Sequence, residues 1–426
     1  MALPAIQRDL HGGLALQQWV VDAYLLTLGS LLLVGGSLGD LFGARRIFLL
    51  GILTFGAMSV LCAAAPDGNT LIVARGLQGV TGALLTPSGL AVITETFSGE
   101  ERGAAIGTWT SWTGIAFVIG PVVGAWLVSH ASWRWVFIVN IPFALATAAL
   151  VAAVVPKLER EGQRPRVDFL GAVLCTLGLG GPVFALIEEP KRGWGHPLIL
   201  VTLLGGIAVL AAFLEWERRS AHPMLPLQLF RRRNFSFANV ETLTVYAGLS
   251  TLTFFQVLFL QQLAGYSALR SGLALVPITA VMFLLSPRVG RLSMRFGPRL
   301  FMGVGPLIAG ASLVWLTLLG RHFSYWTELL PILLGFSVGL SMIVAPLTAT
   351  VLADAGERDA GIASGVNNAV ARVAALLGIA VVGAAIAGSD NRLDLSGYRV
   401  SMAITAALVA VGGVIGLAGI RNPREA

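Results

Sequence analysis

Apolar residues in this chain run in near-continuous stretches separated by short polar knots. They show neither the alternation of a half-buried strand nor the one-sided stripe of a soluble helix. A span of about 20 apolar residues crosses a hydrocarbon core roughly 30 Å thick. The stretches predict spans at 17–38, 46–65, 70–95, 103–128, 134–155, 167–188, 196–215, 237–261, 269–287, 299–320, 326–351, 360–388 and 399–420. Helix is the element expected for each, because lipid cannot satisfy the free backbone groups of an open strand. No gap is long enough for a separate soluble domain.

The polar knots carry direction. One alternating set of gaps holds 19 Lys and Arg residues, among them Arg45, Arg46, Arg231, Arg232, Arg233, Arg288 and Arg299; the opposite set holds 8. The richer side is expected to be cytoplasmic, which puts the C-terminus inside.

Composition fits this picture. The 426 residues are 56% apolar and 12% charged, with a mean hydropathy of +0.80, against roughly 25% charged in soluble domains. The formal charge of +7 falls in inter-span gaps and not on a polar domain, so nucleic acid is not an expected partner. Cys62 and Cys175 lie inside apolar stretches and the five histidines show no ligand spacing, so neither disulfide nor metal is expected. MALPAIQRDLHGG has no basic flank followed by an apolar core, and no cleavable signal is expected.

One knot recurs. GxLxxxFGxR fits Gly36, Leu38, Phe42, Gly43 and Arg45, and again Gly290, Leu292, Phe296, Gly297 and Arg299, 254 residues on. Asp40 in the first copy is Met294 in the second. Parallel repeats of this kind mark carriers that rock two bundles about a midplane site. The expected architecture is an all-α polytopic membrane protein: two pseudo-symmetric six-helix bundles with an inserted central helix pair. The boundaries are 1–155, 156–220 and 221–426. Six, two and six make fourteen helices where thirteen are present, and the deficit falls in the first bundle.

These residues carry a resemblance. GSLGDLFGARR (36–46), ARGLQGVTGA (74–83), GIAFVIGPVVGAWL (114–127), WRWVFIVNIP (133–142), FLQQLAGYSALRSGLALVP (259–277) and GIASGVNNAVARVAALLG (361–378) follow one another as in the major facilitator superfamily. Within it, the chain resembles the fourteen-helix drug:proton antiporters over essentially its whole length. Ala116 and Ala125 depart from that pattern, standing where glycines are usual in the third motif. MALPAI is similar to the tail of a first helix that in the family carries an aspartate a few residues earlier. A start assigned too late, or a truncated chain, would account for it.

The resemblance implies proton-coupled export of drugs or hydrophobic and cationic small molecules across the plasma membrane, by a monomer without a cofactor, the proton gradient being the energy source. Uptake symport on the same fold is the alternative. An enzyme is not expected, since no nucleophile or metal set converges at one face.

The residues themselves narrow the candidates. A coupling carboxyl must pass between neutral and charged states, and Asp22 and Glu241 are the in-span choices; each could equally be a hydrogen-bonded interfacial group. Arg75 and Arg372 are in-span cations that must face protein or water. Gln78, Trp112, Asn367 and Asn368 are candidates to line a substrate cavity. Gly36, Asp40, Gly43, Arg45 and Arg46, with Gly290, Gly297 and Arg299, are candidates for a cytoplasmic gate; a simple basic turn is the plainer reading. Gly36 and Gly43 are expected to let backbones approach, and Asp40 to pair with Arg45 or Arg46. Gly114, Gly120, Pro121 and Gly124 predict a kinked, closely packed small-residue face.

Overall fold

The computed structural model describes residues 1–156, 167–355, 360–386 and 393–422, without the side chains at 99, 100, 103, 107, 110, 111, 114, 117, 118 and 360. Gly114 is therefore outside the described residues. Fifteen α-helices follow one another among them: α1 (Leu3–Asp9), α2 (Leu14–Phe42), α3 (Ala44–Ala64), α4 (Gly68–Thr96), α5 (Gly99–His130), α6 (Trp135–Ile138), α7 (Asn140–Val154), α8 (Phe169–Arg192), α9 (Pro197–Arg219), α10 (Arg233–Leu258), α11 (Ala268–Phe296), α12 (Pro298–Leu316), α13 (Leu330–Ala355), α14 (Ala360–Ile386) and α15 (Leu395–Gly419). Single π-helical turns at Phe259–Leu263 and Tyr325–Leu329 extend α10 and precede α13.

Twelve helices among the described residues are long and apolar enough to cross a membrane. The remaining predicted range, 103–128, falls on α5, whose described apolar part is Ile119–His130. The prediction at 299–320 overruns, since α12 stops at Leu316. Helix ends follow local chemistry. Asp67, Asp168, Ser267 and Asp394 cap α4, α8, α11 and α15, each side chain accepting from a backbone N–H three residues on.

The chain divides into two units, Ala2–Pro226 and Leu227–Ala426. In the first, α2 and α3 pack on α4, α3 packs on α7, and the pair α8–α9 packs on itself and lies against α2. In the second, α11 and α12 pack on α13, α12 packs on α15, and α10 packs on α14 and α15. Replacing α2, α3, α4 and α7 by α11, α12, α13 and α15 turns the pairings α2–α4, α3–α4 and α3–α7 into α11–α13, α12–α13 and α12–α15. The sequence repeat is thus also a repeat of packing.

Lipid offers little hydrophobic drive for one helix to leave it for another, so small residues and hydrogen bonds hold these contacts. In the first unit a Cβ at Gly35 would collide with the Ala83 carbonyl, and one at Gly79 with Thr27 and the Tyr24 carbonyl. These are the close approaches of α2 and α4. Gly36, expected in that role, has only the Pro87 Cβ at 3.6 Å, an ordinary contact. The prediction was one residue off along α2.

Candidate functional site

Both repeated turns are built on a left-handed glycine, Gly43 with φ +91° and Gly297 with φ +86°, a conformation that a Cβ penalises. Two residues after each, the arginine leaves the turn to cap a distant helix end. Arg45 Nη2 donates to the Ala152 carbonyl at 2.8 Å, in the last turn of α7. Arg299 Nε donates to the Leu417 carbonyl at 2.8 Å, near the end of α15. A guanidinium at a helix C-terminus satisfies an orphan carbonyl and complements the macrodipole. Gly43 has nothing within 4 Å of an added Cβ, so it provides the turn and not a close approach. Gly290 has the Ala345 Cβ at 3.4 Å. Asp40 and Arg46 are exposed.

In the first unit Arg75 is locked in place. Its Nε donates to the Val20 carbonyl at 2.8 Å and Nη1 to Gln78 Oε1 at 2.6 Å. The guanidinium lies 4.3 Å from the Tyr24 ring centroid and 5.8 Å from that of Phe137. Gln78 Nε2 donates on to Ser59 Oγ at 2.8 Å, which also receives Asn140 Nδ2 at 3.4 Å; Cys62 Sγ lies 3.7 Å from Gln78 Oε1. Gln78 is 1% exposed. It therefore lines no open surface here, contrary to expectation, and orients Arg75 instead.

Asp22 is fully buried on α2, and neither carboxylate oxygen has a hydrogen-bond partner among the described residues. Elsewhere along the same helix, Trp19 donates to Glu188 Oε1 at 3.1 Å and Ser30 accepts from Thr176 Oγ1 at 2.9 Å, both on α8. No ion pair joins Asp22 to Arg75.

In the second unit Glu241 is also fully buried, both oxygens without a hydrogen-bond partner among the described residues. It faces glycines of α15, and a Cβ at Gly416 would stand 3.1 Å from Glu241 Oε2. An ionised carboxylate left unpaired in such a place would cost far more than any contact returns, so the packing at Asp22 and Glu241 accommodates the neutral acid. Asn367 Nδ2 donates to Asn239 Oδ1 at 3.1 Å and Thr242 Oγ1 at 2.8 Å, tying α14 to α10. Asn368 is exposed, its Nδ2 donating to the Ser364 carbonyl at 3.1 Å. Arg372, partly exposed, makes no hydrogen bond or ion pair among the described residues. An arginine at mid-span costs about 2.5–3.5 kcal/mol against lipid, so it must face protein or water.

On α5, no described residue lies within 4 Å of a Cβ at Gly120 or Gly124, and Pro121 is exposed. Within the described residues that face is open, where close packing was expected. Trp112 is 67% exposed. Outside the spans, Asp9 is held below the usual carboxylate range, first by the Arg134 guanidinium at 2.6 Å and then by the Trp133 indole at 2.9 Å.

Sequence reasoning missed Ser59, Tyr24 and Asn140 around Arg75, and Asn239 and Thr242 around Asn367. The available signal was polar residues inside apolar spans near the singled-out charges: Ser59 one turn from Cys62, Asn239 and Thr242 flanking Glu241.

The model of the Major Facilitator Superfamily matches residues 1–379. The chain belongs to the major facilitator superfamily. Among its relatives in that superfamily, the puromycin resistance protein pur8 of Streptomyces alboniger is 38% identical over 397 residues, covering 91% of this chain and 78% of that one. The tetracenomycin C resistance and export protein of Streptomyces glaucescens is 35% identical over 390 residues, with 91% and 72% covered. The fold also matches the crystal structure of the POT family transporter PepTSo, with a TM-score of 0.69 at 15% identity over 97% of this chain and 93% of that one. Its repeated packing within each unit and its membrane-spanning helices are those of a major facilitator fold.

Proposed function

We propose that this chain is a secondary active exporter that moves lipophilic, drug-like small molecules out of the cell in exchange for protons, by alternating access. Kinship over nine-tenths of the chain with one protein named for resistance and another for resistance and export supports the cargo class and the direction. Proton coupling rests on Asp22 and Glu241, one in each unit, sealed and without partners. A group in that state can hold a proton in one conformation and release it when water or a cation reaches it in the other. Arg75, fixed beside Gln78, is the cation of the first unit that such a movement would bring into play.

The paired turns act as the brace at the cytoplasmic face: each arginine caps the last helix of its own bundle, keeping that bundle rigid while it moves. The C-terminus is accordingly cytoplasmic, and the protein works as a monomer in the plasma membrane. Everted vesicles test the reading. Acidifying their interior should drive uptake of a lipophilic dye, and collapsing the gradient with a protonophore should stop it. Dye uptake indifferent to the gradient would refute proton coupling.

A further inference from the structure

Unlike Arg75, Arg372 makes no hydrogen bond or ion pair among the described residues. Gly361, Gly365, Asn368 and Arg372 fall at spacings of four, three and four, which places them on one face of α14. Gly361 and Asn368 are exposed, Gly365 and Arg372 partly so, and a Cβ at Gly361 would meet nothing within 4 Å. The same face then closes over: Ala375 is 8% exposed and Ile379 2%. The open strip thus starts where α14 starts and ends at Arg372, its deepest polar group. A cation at that depth must face protein or water and not lipid, and the described residues leave this strip open.

Among the described residues α14 packs mainly on α10, α13 and α15, and no acid described on these helices pairs with Arg372. Glu241 on α10 is turned into the α15 glycines. Asp354 on α13 accepts from the Phe235 amide at 2.7 Å, and Asp394 caps α15. Arg233 and Arg399 donate to backbone carbonyls. The neighbour that feels the Arg372 charge is the phenol of Tyr246, itself a hydrogen-bond donor. The open face therefore presents a planar cation with five N–H donors and, among the described residues, no anion that receives them.

We propose that Arg372 receives an acidic group of the cargo, so that the preferred substrates are lipophilic anions: a carboxylate, phenolate or sulfonate on an apolar frame. This rests on the exporter reading above and replaces the cationic cargo that the family resemblance implied. The guanidinium fork pairs two acid oxygens at once, and a lysine in its place would keep the charge and lose that geometry.

Three naphthalene probes of similar size test it on the purified full chain: anionic 8-anilinonaphthalene-1-sulfonate, neutral N-phenyl-1-naphthylamine and a cationic trimethylammonium naphthalene. In proteoliposomes under a pH gradient, the ratio of half-saturation for the anion to that for the neutral probe should rise at least ~10-fold in Arg372→Gln and less in Arg372→Lys. Equilibrium binding of the anion to the protein in detergent should weaken by a similar factor, and this arm needs no transport. Should Arg372→Gln fail to insert, the Arg372→Lys shift in binding decides alone. A cation moved as well as the anion, with unchanged ratios, would overturn the cargo class and leave the exporter standing. No probe moved by the wild type, with anion binding still dependent on Arg372, would overturn the exporter and keep the acid site. Repeating the transport with and without phosphatidylglycerol separates cargo from lipid headgroup: Arg372-dependent lipid binding without Arg372-dependent movement of the anion counts against the proposal.

Discussion

At Gly43 the first unit turns through a left-handed backbone and Arg45 reaches the end of α7. At Gly297 the second unit does the same and Arg299 reaches the end of α15. Deeper in, the likeness stops. Arg75 on α4 is held by a carbonyl, an amide and two rings, whereas Arg372, on α14 and not on α4's counterpart α13, has no hydrogen-bond or ion-pair partner among the described residues. The rim of each bundle is fixed by an architectural need both halves share: a helix end must be capped and a turn must fit. The interior carries the division of labour, and there the halves have parted.

That contrast can be broken in four places. The largest effect is expected at the buried acids. Asp22→Asn and Glu241→Gln should each reduce gradient-driven efflux in everted vesicles to background while leaving membrane insertion intact. Full activity in either variant would confine coupling to the other unit.

Next come the arginines. Removing Arg75 orphans the buried Gln78 carbonyl, so Arg75→Gln should destabilise the detergent-solubilised protein by about 1.5–3 kcal/mol. Arg372→Gln orphans no group and should stay within about 0.5 kcal/mol. Equal shifts in thermal unfolding would erase the difference drawn between the two units.

The glycine turns should give smaller effects. Gly43→Ala meets open space and should cost about 1–2 kcal/mol through backbone strain alone. Gly297→Ala bears the same strain and also drives a Cβ into the Asn422 side chain, so it should cost more. A Gly43 penalty equal to or above that of Gly297 would contradict this ordering.

Smallest is the pH response of Asp9. Its folded-state pKa lies below the unfolded value because Arg134 and Trp133 donate to the carboxylate. The stabilisation is therefore fully present above about pH 4, the ordinary carboxylate range, and fades as pH falls through the folded value. In the wild type the melting temperature should drop slightly more steeply below pH 4 than in Asp9→Asn. Parallel curves would show that this exposed clasp contributes nothing.

Much of the fold was legible because lipid imposes a simple rule: a span must be long, apolar and helical. Sequence alone placed the paired turns and the in-span charges. It went wrong by one residue at Gly36, where the contact belongs to Gly35, because periodicity defines a helix face only to within a neighbouring position. It assigned Gln78 to a cavity because an amide inside a span has the same signature whether it meets water or an arginine.

What the chain determined by itself was where it crosses the bilayer, which segments repeat, and which charges it carries at depth, all properties of one helix in one solvent. Tertiary structure decided the rest. Whether Asp22 is sealed, whether Glu241 faces glycines, and whether an arginine is bound or open depends on which neighbouring helix turns which face toward it. Packing within a bundle makes that choice through contacts far apart along the chain, so no local pattern records it.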